Sequence, residues 1–179
     1  MCDPFLSFGH LPFVFLFRDI PETAWSGTWQ NADIGVVNQP GDFADLGGNS
    51  YSIVADGADI WRSEDAFHYA FQPVLGDCQL TVRVAYMTGP STHHWRKAGL
   101  MIRETLDANS PHAFMLAAPA EPGKAFQWRP QRGGGSLSAH GGPQTTMPIC
   151  LRIVRIGDMF SGFYYHDGRW RQQGESVHI

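Results

Sequence analysis

Apolar and polar residues alternate one by one along most of this chain, and that period of two bounds what it can fold into. Over residues 78–86, Cys78, Leu80, Val82, Val84 and Tyr86 fall on one side, with Gln79, Thr81, Arg83 and Ala85 on the other. Residues 66–72 set Phe67, Tyr69 and Phe71 against His68, Ala70 and Gln72, and residues 124–129 set Phe126 and Trp128 against Gln127 and Arg129. Successive side chains of a strand point to opposite faces, so each stretch reads as a half-buried β-strand. No stretch carries a convincing helical period, and the expected class is all-β. The 20 glycines and 12 prolines among 179 residues suit short strands joined by tight turns. That length is one domain with room for a proper core.

The remaining pattern fills in the strands. Residues 97–104 are apolar on both sides near their middle, as expected of a strand between two covering layers. Residues 50–54 and 113–118 read as further strands, and 149–156 with 159–166 as a hairpin turning at Gly157-Asp158. A second tight turn is expected at Asp167-Gly168, and Val177-His178-Ile179 reads as a last strand. Residues 38–49, 89–95, 105–111 and 132–142 read as loops. Trp29 reads as a core residue. Three cysteines make no disulfide framework. Cys78 and Cys150 read as buried thiols, bridged only if their strands are neighbours at the right spacing, and Cys2 as free.

Residues 1–24 form a separate apolar segment, with Phe5-Leu6-Ser7-Phe8 and the run from Leu11 to Phe17. Asp3 precedes this run and Arg18 follows it, the reverse of a signal peptide's charge order. It reads as an extra strand of the domain at 25–179, or else as a processing segment. Nothing approaches eighteen consecutive apolar residues, so no membrane helix is expected. The net charge is −4 and no basic stripe stands out, which argues against nucleic acid as a partner.

Motifs of the common chemistries are missing. The sequence has no Gly-x-Ser-x-Gly elbow, no phosphate-binding glycine loop, and no His-x-x-x-His or Cys-x-x-Cys pair. What it does have suits carbohydrate. Sugars present apolar ring faces to aromatic side chains, and hydroxyls that need fixed donors and acceptors. Trp61 and Trp95 supply the first, and His68, Arg83, Arg103, Gln127 and Arg129 the second, provided these side chains share one solvated face. His68 and Gln72 are expected on that face. The alternative is a glycoside hydrolase or polysaccharide lyase using Asp65, His68 and Glu104 as acid and base. A third reading is a protein-docking domain.

Several segments, in order, resemble one family. They are Asp59-Ile60-Trp61, Asp65-Ala66-Phe67-His68-Tyr69, Gln72-Pro73, Gly76-Asp77, Val82-Arg83-Val84 and the run from Trp95 to Glu104. They continue with Ser110-Pro111-His112-Ala113, Phe126-Gln127-Trp128-Arg129, the run from Leu151 to Arg155, the run from Phe160 to Tyr165, and Asp167-Gly168. Together they resemble the concanavalin A-like lectin/glucanase domains of a bacterial family described as regulation-of-enolase-like. The resemblance implies a jelly-roll β-sandwich of two antiparallel sheets and a secreted location, and it implies less about function, because such domains serve as sugar-binding modules, enzyme accessories and occasionally catalysts. The glycosidase motif Glu-x-Asp-x-x-Glu of such folds does not occur here. Loop-bound calcium is the implied cofactor, with Asp33, Asp56, Asp59 and Asp77 as candidate ligands. Related domains continue past residue 179 with a further strand or two. The missing pairing is expected to be filled by residues 5–17, or by self-association through the open edge.

Overall fold

A computed structural model describes residues 13–17, 28–89 and 93–179, and builds them into fifteen strands, numbered here in chain order. All pairings are antiparallel, as the alternation requires. The strands divide among three hydrogen-bonded sheets rather than the two expected. The large sheet runs β14 (Arg169–Gln172), β13 (Met159–His166), β12 (Ile149–Ile156), β7 (Cys78–Met87), β1 (Phe13–Phe17), β4 (Ser50–Val54) and β3 (Asp42–Gly47). The short β15 (Val177–His178) pairs with the start of β13. The middle sheet runs β11 (Leu137–Ala139), β10 (Lys124–Arg129), β9 (His112–Ala117) and β8 (Ala98–Arg103). The small sheet runs β2 (Gln30–Ile34), β6 (Glu64–Phe71) and β5 (Asp59–Trp61).

The middle sheet is buried on both faces. On one, Leu100, Met115 and Phe126 pack against Leu80, Val82 and Val84 of β7 and Leu151 and Ile153 of β12. Gly162 of β13 allows this closeness, because a side chain there would run into the Phe126 ring. On the other face, Met101, Phe114, Leu116 and Ala125 pack against Ile60 of β5 and Phe67 and Tyr69 of β6. Every residue of β9 is buried. Burying side chains of this size contributes about 1.5–3 kcal/mol each, so the central hairpin of β9 and β10 anchors the molecule. Trp29 packs beside Phe43 and Tyr51 at the margin of the first core.

Strand β1 lies inside the large sheet, with Phe15 opposite Tyr51 of β4 on one side and Val84 of β7 on the other. The expectation for residues 5–12 lies outside the described residues. Two segments expected as loops contain strands. The 38–49 stretch holds β3, whose Phe43 pairs with Ile53 while Asp42 and Asp45 are exposed at the sheet edge. The 132–142 stretch holds β11.

The cysteines depart from expectation. Strands β7 and β12 are neighbours, but Cys78 lies opposite Arg155 and Cys150 opposite Arg83. That offset of five positions puts them roughly 17 Å apart along the strands, too far for a bridge. Cys78 is a free, buried thiol whose pKa burial pushes up, whereas Cys150 is disulfide-bonded rather than a thiol. Cys2 lies outside the described residues.

Candidate functional site

Strands β8 and β10 do turn Arg103, Gln127 and Arg129 to the same face of the middle sheet. That face is not solvated, because β5 and β6 cover it. Arg129 is fully buried and holds Asp65 in a two-pronged pair, Nη2 to Oδ1 at 2.6 Å and Nη1 to Oδ2 at 2.9 Å. Its remaining N–H groups donate to backbone carbonyls of three loops: Arg62 at 3.1 and 3.2 Å, Ser110 at 3.0 Å and Gly134 at 3.1 Å. Ser136 closes the arrangement, its N–H and hydroxyl both donating to the Arg62 carbonyl. Arg62 itself holds a left-handed φ of 52°, a conformation costly for a non-glycine residue unless its surroundings fix it.

Arg103 approaches Asp65 Oδ2 at 3.4 Å, lies over the Phe67 ring and donates to the carbonyls of Thr105 and Asp107. Burial pulls its pKa down, against the opposing pull of Asp65. His112 sits beneath, its Nδ1 at 3.6 Å from Asp65 Oδ2. Burial, then Arg129 and Arg103, lower its pKa to about 3, so this contact joins a neutral imidazole to a carboxylate and is not an ion pair. Gln127 is buried as well. It donates to the Ile60 carbonyl, while Lys97 donates to Asp59 Oδ1 at 2.6 Å, the Ile60 carbonyl at 2.8 Å and Gln127 Oε1 at 3.2 Å. These groups pin β5 to the middle sheet.

His68 is also not on a solvated face. It points away from the middle sheet, buried, with Nδ1 donating to Asp33 Oδ1 at 2.7 Å and Gly41 lying on its ring. That bond to His68 is the main reason the Asp33 pKa is lowered. Arg83 lies on a different sheet, half-buried on the outward face of β7. Trp95 packs against the Met101 and Phe114 cluster with His140 at its edge. Asp65, His68 and Glu104 do not converge. Asp65 is locked to Arg129, His68 faces the other side of β6, and Glu104 is exposed and paired with Arg132 at 3.3 Å.

The calcium candidates are separately engaged. Asp33 accepts the Gly41 N–H, Asp56 those of Gln39 and Gly57, Asp59 that of Ile60 together with Lys97, and Asp77 that of Gly157. Among the described residues no group of three His, Cys, Asp or Glu is gathered to hold a metal ion. The four aspartates do not fit calcium as a set, since their oxygens already serve backbone amides of different loops.

Two concavities stand out among the described residues. One, of about 480 Å³, lies along the open edge of β8, with walls that include Phe43, Ile53, Phe67, Tyr69 and Phe71. It is apolar, and Tyr69 uses its hydroxyl to cap the Met101 carbonyl inside it. The other is an open hollow of about 960 Å³ over the β5–β6 turn, lined by Asp59, Trp61, Glu64, Asp107, Asn109 and Arg132 among others. Arg132 holds Asp107 at 2.7 Å and, with Thr105, keeps the Asp107 pKa below the usual carboxylate range. Lys97 lies 5.7 Å from the centre of the Trp61 ring. The Asp65–Arg129 clamp forms the floor, so the loops of this hollow are held from below. Sequence reasoning reached Trp61 but missed Glu64, Asn109 and Arg132, which come together from segments some 70 residues apart. The left-handed turn at Arg62 leaves no mark in the sequence, because residues with other conformations look the same there.

No family model, curated protein or solved structure matches the chain.

Proposed function

We propose that this chain is a non-catalytic carbohydrate-binding domain, and that its layered sheets are a variant of the concanavalin A-like jelly roll. The observation that carries the reading is the hollow over the β5–β6 turn. One indole, Trp61, stands among carboxylate, amide and guanidinium groups, on loops whose backbone carbonyls at Arg62, Ser110 and Gly134 are held by the buried Arg129. This combination offers a ring face to stack on and fixed partners for hydroxyls. Asp59 is paired with Lys97 and Asp107 with Arg132, so the hollow is close to electrically balanced and suits a neutral glycan. The disulfide at Cys150 agrees with an oxidising compartment.

The test is retention of the full chain on insoluble neutral polysaccharides, with a parallel assay for new reducing or unsaturated ends. The expected result is retention without new ends, weakened roughly three- to tenfold by Trp61→Ala at an unchanged melting temperature. New chain ends would replace this reading with a hydrolase or a lyase. Retention unaffected by Trp61→Ala would remove the hollow from it.

A further inference from the structure

The β5–β6 hairpin turns through Arg62-Ser63, with Trp61 and Glu64 directly opposite each other. Residues so placed share a face, with Cβ atoms roughly 4.5–5.5 Å apart. The inner face of the hairpin carries Ile60 and Asp65, both buried. Its outer face therefore sets the half-buried Trp61 indole beside the exposed Glu64 carboxylate, and both line the hollow.

The other carboxylates lining the hollow are engaged. Asp59 is held by Lys97, Asp65 by Arg129 and Asp107 by Arg132. Among the described residues Glu64 is in no ion pair, and neither is the guanidinium of Arg62, which lines the same hollow. Arg62 holds its left-handed φ of 52° in a two-residue turn, where glycine, asparagine or aspartate is the ordinary choice. Its carbonyl is gripped from below by Arg129 and Ser136. Its side chain is exposed, so the unusual backbone does not serve to pack that side chain into the core. Strained non-glycine residues persist where their surroundings over-determine them, and they cluster at binding sites.

Resting on the carbohydrate reading of the same hollow, we propose that Glu64 and Arg62 determine which sugar it takes: a neutral pyranose with two adjacent free hydroxyls, as in a 1,4-linked glycan. With the ring stacked on Trp61, the two oxygens of Glu64 accept the protons of both hydroxyls, and the Arg62 fork donates to hydroxyl oxygens. Inside a chain, a 1,4-linked pyranose keeps its 2- and 3-hydroxyls free side by side. A 1,3-linked one uses the 3-hydroxyl in the linkage and keeps no adjacent pair. The charges of Glu64 and Arg62 cancel, so the hollow stays suited to a neutral ligand.

The test is a set of binding isotherms of the full chain on amorphous cellulose, insoluble 1,4-linked mannan and curdlan, a 1,3-linked glucan with few chain ends. The two 1,4-linked polymers are expected to bind roughly tenfold more tightly than curdlan, the range for charge-assisted hydrogen bonds made only to the adjacent pair. Glu64→Gln is expected to weaken binding to cellulose roughly three- to tenfold and to bring it close to that of curdlan. Arg62→Gly is expected to weaken it as well while leaving the melting temperature unchanged or raised, because glycine takes a positive φ without strain. Equal affinity for cellulose and curdlan, or parental binding by Glu64→Gln or Arg62→Gly, would overturn the proposal and leave the carbohydrate reading in place. A markedly lower melting temperature for Arg62→Gly would overturn it too, by making that side chain part of the fold. Binding to none of the three polymers would also overturn it, and retention on other neutral polysaccharides then decides whether the carbohydrate reading falls with it.

Discussion

Arg129 gathers one carboxylate and the carbonyls of three loops while fully buried. Breaking such a pair from one side leaves the buried Asp65 carboxylate with only Arg103, at 3.4 Å, as a cation beside it, and such a loss costs up to about 3–5 kcal/mol. Arg129→Met is therefore expected to lower unfolding free energy by that order in urea titration, and to abolish glycan retention because the loops lose their floor. His112 gives a pH signature. Its folded pKa of about 3 lies below the ordinary histidine value of 6.5, so the unfolded chain binds the extra proton between them. Stability contributed by His112 is present above pH 6.5 and is lost as pH falls toward 3, at a slope on the order of 1 kcal/mol per pH unit. His112→Gln is expected to flatten that slope in unfolding curves taken across the window. The sequence displays Arg103, Gln127 and Arg129 at alternating positions, and alternation says which residues share a face. It does not say whether that face meets water or another sheet, so the three were read as surface groups.

At the scale of elements, β6 is a strand with two buried faces of different character. One carries Asp65, Phe67 and Tyr69 to the middle sheet, and the other carries His68 to Asp33 beneath Gly41. A methyl group at residue 41 would enter the space of the His68 ring. Gly41→Ala is expected to destabilise by about 1–3 kcal/mol, the range for overpacking. In a His68→Ala background the same change is expected to cost much less, which a double-mutant cycle of melting curves reads directly. Most strands were legible from alternation, including β7, β10 and the β12–β13 hairpin. Strand β3 was not, because an edge strand exposes half its polar groups and here carries Asp42 and Asp45 with a register shift before Gly47. Those same features guard the edge against pairing with other chains.

For the whole molecule, the strands are shared among three hydrogen-bonded sheets. The all-β class followed from the sequence. The third layer did not, because the covering sheet is short and its strand β2 is separated along the chain from β5 and β6 by β3 and β4 of the large sheet. The large sheet depends on β1 at its middle, since β4 and β7 both hydrogen-bond to it. Proline at Phe15 would remove an N–H from a central strand, and Phe15→Pro is expected to cost about 3 kcal/mol or more in thermal unfolding. The position of β1 also bears on how the chain is made. Its partner residues, Tyr51 and Val84, are synthesised well after Phe15. An aromatic strand leaving the ribosome must then wait, unpaired, until dozens of further residues have emerged. Slow closure of such distant contacts keeps apolar surface open for longer and makes refolding from dilute solution the gentler route.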